Sequence, residues 1–150
     1  GGWSVNLTNY LTSGLPLNIV YSASSQYQVS PLLSTRPNLV GSPVTPEGQR
    51  TTSNYLNAAG FALPSYTQPF GNAGRNIARS YPFRELDFGL HKTFRWGQES
   101  RYLQFRAEAF NLTNQTNFST PNTTFNTTSF GSITSTFPAR QLQLSLKLYF

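Results

Sequence analysis

Four segments of the chain alternate apolar and polar residues with a period of two: residues 2–12, 85–96, 101–112 and 140–150. This is the pattern of a β-strand whose two faces meet different environments. The terminal segment is the most regular, because its row of large apolar side chains has no break. That row consists of Leu142, Leu144, Leu146, Leu148 and Phe150. Since helical periodicity is absent, the sequence predicts an all-β fold.

The second and third segments predict a β-hairpin. Only residues 97–100 separate them, and a short polar connection suits an antiparallel pair. If Trp96 pairs with Arg101, the apolar residues of both strands fall on the same side of the sheet. The resulting cross-strand pairs are Phe94 with Leu103, Leu90 with Ala107, and Phe88 with Ala109.

The apolar face of these strands is predicted to contact lipid, and the polar face to line a water-filled lumen. The terminal segment has the length that a tilted strand needs to cross a bilayer. The lipid-facing candidates are Leu86, Phe88, Leu90, Phe94, Leu103, Phe105, Leu142 and Leu144. The lumen-facing candidates are Glu85, Asp87, His91, Arg95, Arg106 and Glu108. Lys92 interrupts the apolar face, so its ammonium must extend along the surface to reach water.

These patterns favour the antiparallel strands of a transmembrane outer-membrane β-barrel, with this chain as a C-terminal fragment of about four strands. The alternative is a soluble or surface-attached β-sandwich that binds glycan or protein. The two folds differ in what covers the apolar row, which is lipid in a barrel and a second sheet in a sandwich. Since bacterial barrels have at least about 8 strands, further strands are expected before Gly1 or from other copies.

Two long connections, about residues 13–84 and 113–139, flank the hairpin and are rich in Pro, Gly, Ser, Asn and Thr. They are expected to be irregular loops, apart from a short strand near residues 17–21. Outer-membrane barrels combine short periplasmic turns with long extracellular loops. If the carboxyl terminus is periplasmic, strict alternation puts the hairpin turn in the periplasm and both long loops outside the cell.

The composition excludes several classes of protein. There is no Cys, so disulfides, thiolate catalysis and Cys-based metal sites are ruled out. No run approaches the ~18 apolar residues of a membrane helix. The net charge of +6 comes from scattered Arg and Lys residues, which favours contact with lipid head groups or an anionic ligand over nucleic acid. The chain has no Met and begins Gly-Gly, so any export signal is expected upstream.

The candidate chemistry of the polar face is weak. Its charged residues could form an acid and base or ligand site, but a hydrated barrel interior is the favoured interpretation, because no nucleophile is paired with a base. His91 is the only His and faces Arg106 in the predicted register, so we predict no metal, no cofactor and no enzyme activity. The Gly-rich residues 70–76 lack the Lys-Ser/Thr of a phosphate-binding loop and predict a turn instead.

Six Asn residues begin N-x-S/T triplets, which are glycosylation acceptors in secreted eukaryotic proteins. They are Asn6, Asn111, Asn114, Asn117, Asn122 and Asn126. Such triplets arise by chance in a Thr- and Asn-rich chain. Asn6 and Asn111 also fall in or at the end of predicted strands, where a glycan fits poorly.

Five stretches carry a resemblance to a known family. They are Ser13-Gly14-Leu15-Pro16, Arg36-Pro37-Asn38, residues 70–76, the run F-R-A-E-A-F-N-L-T-N from Phe105 to Asn114, and the terminal R-Q-L-Q-L-S-L-K-L-Y-F. In order and spacing they resemble the C-terminal end of TonB-dependent outer-membrane receptors. The similarity is greatest to the Oar-like transporters, which have a carboxypeptidase-regulatory-like N-terminal domain.

The resemblance implies a function and a set of partners. The family imports a scarce ligand with energy from the TonB complex, which acts through a TonB box and a plug N-terminal to these residues. The barrel assembly machinery reads the terminal strand, which implies that Leu146, Leu148 and Phe150 form the insertion signal. The family's signal usually has a polar residue and then Gly where this chain has Leu144 and Ser145. The implied partners are outer-membrane lipid, the assembly machinery, TonB through the missing regions and an unknown ligand.

The first long loop also holds candidate ligand contacts. Exposed loops carry binding residues in many scaffolded folds. The aromatic candidates are Tyr55, Phe61, Tyr66 and Phe70, and the alternative is that these rings pack within the loop itself.

Overall fold

A computed structural model describes residues 1–21, 36–65, 67, 70–97 and 101–150 of the chain. The described part has four long strands: β1 (Trp3–Thr12), β7 (Phe83–Arg95), β8 (Tyr102–Phe110) and β10 (Gln141–Tyr149). Its two-residue strands are β2 (Pro16–Leu17), β3 (Val20–Tyr21), β4 (Asn38–Leu39), β5 (Phe61–Ala62), β6 (Ala78–Arg79) and β9 (Thr124–Phe125). Short 3-10 helices span Glu47–Gln49 and Ala58–Gly60. Within these residues, no helix has the length and apolar character to cross a membrane.

The chain divides into two compact units. The first, called the sheet unit, contains Gly1–Ser13, Pro82–Asn117 and Thr136–Phe150. The second, called the loop unit, contains Gly14–Tyr81 and Phe118–Ser135. The sheet unit holds the four alternating segments, and the loop unit holds most of the two long connections.

The sheet unit is built on one antiparallel sheet with the strand order β1-β7-β8-β10. All four predicted strands are confirmed, with ends displaced by no more than two residues. The predicted hairpin register is also confirmed, since β7 and β8 pair Phe94 with Leu103, Leu90 with Ala107, and Phe88 with Ala109. The Trp96 N–H donates to the Arg101 carbonyl at 3.4 Å, and residues 98–100 lie outside the described part.

A buried asparagine organises the end of β8. Asn111 follows the strand directly, is 2% exposed and has a φ of 50°, which ends the extended backbone. Its N–H donates to the Asp87 carboxylate of β7 at 2.9 Å. Its side-chain amide donates to the carbonyls of Gln115 at 2.9 Å and Pro138 at 3.4 Å, just before β10. Through its backbone and side chain, this one residue connects β7, the end of β8 and the segment that leads into β10.

A second buried asparagine completes the ladder of β7. Asn117 is 3% exposed; its side-chain oxygen accepts from the Arg84 N–H at 3.0 Å and its amide donates to the Arg84 carbonyl at 2.9 Å. These two bonds satisfy the backbone N–H and carbonyl of Arg84 at a position where β8 has already ended and cannot pair with β7. Asn111 and Asn117 are called the asparagine clamp below. Both begin N-x-S/T triplets, and their burial leaves no space for a glycan.

The loop unit has a hydrophobic core of its own. The buried core residues are Leu17, Ile19, Tyr55, Leu56, Phe61, Ala78 and Ile133. The rings of Phe61, Phe125 and Phe130 pack with centroids 5.3 to 5.7 Å apart, and Phe61 belongs to the first long segment whereas the other two belong to the second. The expectation of irregular loops is therefore wrong for the described residues.

Short strands also join the parts of the loop unit. β2 pairs with β6 and β4 with β5, both antiparallel, while β3 and β9 form a parallel pair between the two long segments. The predicted strand near residues 17–21 corresponds to two short strands, β2 and β3. These pairs satisfy backbone groups that a compact unit would otherwise bury without partners.

Two glycines mark close backbone approaches within the loop unit. A Cβ on Gly14 would collide with the Ser80 carbonyl oxygen, and one on Gly71 with the Arg36 carbonyl oxygen. Around Gly71, the Ala73 N–H donates to the Pro37 carbonyl at 3.1 Å. The Gly-rich residues 70–76 thus form a structured turn, as predicted.

Candidate functional site: the two faces of the sheet

The four long strands place their apolar residues in rows that cross the whole sheet. The rows are Leu7, Phe88, Ala109 and Leu142; Val5, Leu90, Ala107 and Leu144; Trp3, Lys92, Phe105 and Leu146; and Phe94, Leu103 and Leu148. Leu86, opposite Asn9, is the remaining candidate of the predicted lipid-facing set. The structure therefore brings all eight of those residues to one face of the sheet.

This apolar face is exposed, above all on the edge strands β1 and β10. Leu7 is 65% exposed, Leu142 72% and Leu144 71%. Soluble proteins rarely expose large apolar side chains in contiguous rows. A β-sandwich would bury the same rows against a second sheet, and exposure of this size shows that nothing in the described part covers them. The third residue of the predicted insertion signal, Phe150, is 97% exposed beside Leu146 and Leu148 on this face.

Aromatic residues gather at the hairpin end of the apolar face, where Trp3, Phe94, Trp96 and Phe150 lie. Lys92 reaches into this group: its Nζ is 4.8 Å from the Trp3 ring centroid and 5.3 Å from that of Phe94. The ammonium also donates to the Gly1 carbonyl at 2.9 Å. As predicted, Lys92 extends along the surface, and it does so toward the hairpin end. Aromatic girdles at the water boundary are a regular feature of membrane barrels.

The polar face carries charges of both signs. Every predicted lumen-facing residue lies on it: Glu85, Asp87, His91, Arg95, Arg106 and Glu108, joined by Lys147. His91 is opposite Arg106 as the predicted register requires, but its Nε2 lies 3.5 Å from Glu108 Oε1. The Arg106 Nε donates instead to Gln104 Oε1 at 2.9 Å. The face is thus hydrophilic and nearly balanced in charge, which suits contact with water.

The described residues of this face do not assemble a catalytic arrangement. A depression of about 140 Å³ beside Gly89 has two carboxylates in its wall, those of Asp87 and Glu108. Asp87 already accepts the Asn111 N–H. In the described part of the chain, no three His, Asp or Glu side chains come together as metal ligands would. The geometry supports a hydrated surface.

The aromatic candidates of the first long loop differ in how deeply they are buried. Tyr55 and Phe61 are 4% and 5% exposed and belong to the core of the loop unit, so they pack within the loop. The Tyr55 hydroxyl donates to the Arg79 carbonyl at 2.6 Å, and burial raises the pKa of Tyr55 above its usual value. Phe70 is 66% exposed and remains available for contact. Tyr66 lies outside the described residues.

Sequence reasoning missed the structural role of the asparagine clamp. Asn111 and Asn117 were considered only as starts of N-x-S/T triplets, although Asn tolerates positive φ better than most residues. The useful signal was the run of Asn at 111, 114 and 117 immediately after an alternating strand. Asn in that position favours a turn whose side chains bond to the neighbouring backbone.

Comparison with known proteins agrees with this geometry. A family model described as an outer membrane beta barrel domain matches residues 1–143, which include the loop unit and most of the sheet unit. No curated protein and no solved structure matches the chain. The match and the exposed apolar face together overturn the β-sandwich alternative. The chain belongs to the outer membrane beta barrel domain family and is a protein of the bacterial outer membrane.

Proposed function

We propose that the chain is the C-terminal wall segment of a TonB-dependent, Oar-like transporter that takes up a scarce ligand across the outer membrane. Its apolar face contacts lipid and its charged face lines the lumen. The sheet edges, β1 and β10, pair with further strands, because unpaired backbone groups in hydrocarbon cost several kcal/mol each. Strict alternation of short periplasmic turns and long external loops puts both long segments outside the cell.

One observation carries this proposal: four of the five stretches that resemble the TonB-dependent family contact one another in two pairs. Arg36-Pro37-Asn38 pairs with residues 70–76, where the Leu39 N–H donates to Asn72 Oδ1 at 2.7 Å and the Asn72 N–H to Asn38 Oδ1 at 3.1 Å. The run from Phe105 to Asn114 pairs with the terminal stretch along β8 and β10. These contacts support an architecture shared with the family, because short motifs that arose by chance would not be expected to contact one another in the fold.

The fifth stretch, Ser13-Gly14-Leu15-Pro16, bonds instead to two residues that follow residues 70–76 in the sequence. The Leu15 N–H donates to Ser80 Oγ at 2.9 Å, the Ser80 N–H donates to the Leu15 carbonyl at 2.9 Å, and Arg79 Nη1 donates to the Gly14 carbonyl at 3.0 Å. These bonds join the first residues of the loop unit to Arg79 and Ser80. A loop unit with its own hydrophobic core suits a transporter, because ligand binding by preformed loops requires less ordering on contact.

The transporter proposal is tested by reading the coding frame upstream of Gly1 and by measuring TonB binding. We expect a signal peptide, a plug domain with a TonB box and further alternating strands. The purified C-terminal domain of TonB should then bind the full-length protein in detergent and lose binding when the box is deleted. A start codon just before Gly1, or full-length protein that ignores TonB, would count against the proposal.

The terminal strand is proposed to be the signal that the barrel assembly machinery reads, with Leu146, Leu148 and Phe150 as its apolar contacts. Replacing Phe150 with Ala in the full-length gene is expected to lower the amount of barrel in the outer membrane several-fold. The matched control is Tyr149→Ala, which removes an aromatic ring from the opposite face of the same strand. Membrane fractionation and immunoblotting provide the readout, and unchanged insertion of the Phe150 variant would contradict the role.

A further inference from the structure

The charges of the sheet unit are separated by face. Among its described residues the acids are Glu85, Asp87 and Glu108, and all three alternate onto the polar face. Arg84 and Lys92 of β7 alternate onto the apolar face instead, opposite Leu11 and Trp3 of β1. Arg101 and Arg140 stand one residue outside β8 and β10 and continue the apolar rows of those strands. In the described part, the apolar face therefore has cations without acids.

These cations occupy the two ends of the apolar face. Arg84 and Arg140 lie at the end where the long segments leave the sheet, and Lys92 and Arg101 lie at the hairpin end. The residues of the long strands between them on this face are apolar, except for Asn9 of β1. A charge placed at random on a lipid-facing surface would be destabilising in its middle and tolerated at its edges.

The spacing between the two ends fits the bilayer. Arg84 and Lys92 are eight residues apart, which corresponds to about 26 Å along the strand and about 20 Å across the membrane at a tilt of ~40°. The apolar band of a barrel is about 25 Å tall. Because both side chains are long, their charged groups reach the edges of that band. The Lys92 ammonium already lies toward the hairpin end, against the rings of Trp3 and Phe94.

We propose that these cations bind lipid phosphates, with Arg84 and Arg140 serving one leaflet and Lys92 and Arg101 the other. The inference rests on the placement of the apolar face against lipid, which is part of the proposed function. Arg84 and Arg101 are exposed, and no Asp or Glu side chain of the described long strands shares their face. Guanidinium and ammonium groups pair well with phosphate. A soluble acidic partner would leave the apolar rows between the two cation pairs in water, whereas a lipid covers them with its acyl chains.

The test compares two double variants of the full-length protein extracted from outer membranes in detergent. R84Q/K92Q removes one cation from each end of the apolar face, and R95Q/K147Q removes two cations from the polar face. The probe is a short-chain phosphatidylglycerol titrated in native mass spectrometry, with inorganic phosphate as a competitor. We expect R84Q/K92Q to bind the lipid about fivefold more weakly, because each end of the apolar face loses one charge, and R95Q/K147Q to bind it as the unmodified protein does.

Three outcomes would overturn the inference. One is equal lipid binding by R84Q/K92Q and the unmodified protein, and another is an equal loss in both double variants, which would indicate a general charge effect. The third is displacement of the lipid by inorganic phosphate at the same concentration, which would indicate a site for a soluble anion. TonB binding by the same preparations separates this result from failure of the transporter proposal, because the cations of the apolar face take no part in it.

Discussion

Replacing Leu144 with Lys is expected to destabilise the folded barrel by about 2–4 kcal/mol, the cost of a lysine near the middle of a membrane. Leu144 ends the row that begins at Val5, it lies in the middle of β10, and its side chain is 71% exposed. In water, an exposed substitution of this kind usually changes stability by within about 0.5 kcal/mol. The measurement is the urea midpoint of the full-length protein folded into phosphatidylcholine vesicles.

The neighbouring residue offers a matched control for this substitution. Gln143→Lys adds the same charge one position earlier, on the polar face opposite Glu108. We expect Gln143→Lys to leave the midpoint nearly unchanged, because its ammonium remains in water beside a carboxylate. Equal midpoints for the two lysine variants would mean that Leu144 faces water, and the assignment of the apolar face to lipid would then be wrong.

The second large effect is expected for Asn111→Ala in the asparagine clamp. The substitution removes the bonds to Gln115 and Pro138 and the bond that Asn111 Oδ1 accepts from the Gln115 N–H at 2.9 Å. It also places Ala at a φ of 50°, where Cβ is crowded. A loss of about 4 kcal/mol follows from three hydrogen bonds of about 1 kcal/mol each and about 1 kcal/mol of backbone strain. Thermal unfolding followed by circular dichroism measures it.

Two further variants separate the causes of that loss. Asn111→Gly keeps the backbone conformation but removes the side-chain bonds, so it should recover about 1 kcal/mol relative to Ala. Asn126→Ala changes an exposed residue with a φ of 63°, so it tests the strain alone and should cost about 1 kcal/mol. If Asn111→Ala were no worse than Asn126→Ala, the clamp would not hold the strand ends.

The four long strands could be predicted because alternation is a local property with a physical cause. Each strand meets water on one side and an apolar medium on the other, so every second residue reports its environment. The hairpin register followed from the same signal, since a shift of one residue would send Phe94 and Leu103 to opposite faces. The family model agrees with the fold class and the location in the outer membrane that these patterns indicated.

The loop unit could not be predicted by the same reasoning. Its strands have two residues each, too short to show a period, and its core joins residues far apart in the sequence such as Ile19 and Ile133. A composition rich in Gly, Pro, Asn and Thr indicated loops, but ten or more apolar residues dispersed among them were enough for a core. For the same reason Tyr55 and Phe61 looked like contact candidates until their burial was known.

The hydrogen bonds between residues 14–15 and 79–80 of the loop unit change the order in which the sheet can assemble. β1 and β7 are neighbours in the sheet but are separated by the 70 residues from 13 to 82. Joining the ends of a flexible segment of that length costs about 4 kcal/mol in chain entropy. The bonds of Gly14 and Leu15 to Arg79 and Ser80 hold those ends together within the loop unit. Once that unit has folded, β1 and β7 meet almost as the arms of a hairpin do, and their pairing becomes a fast local step.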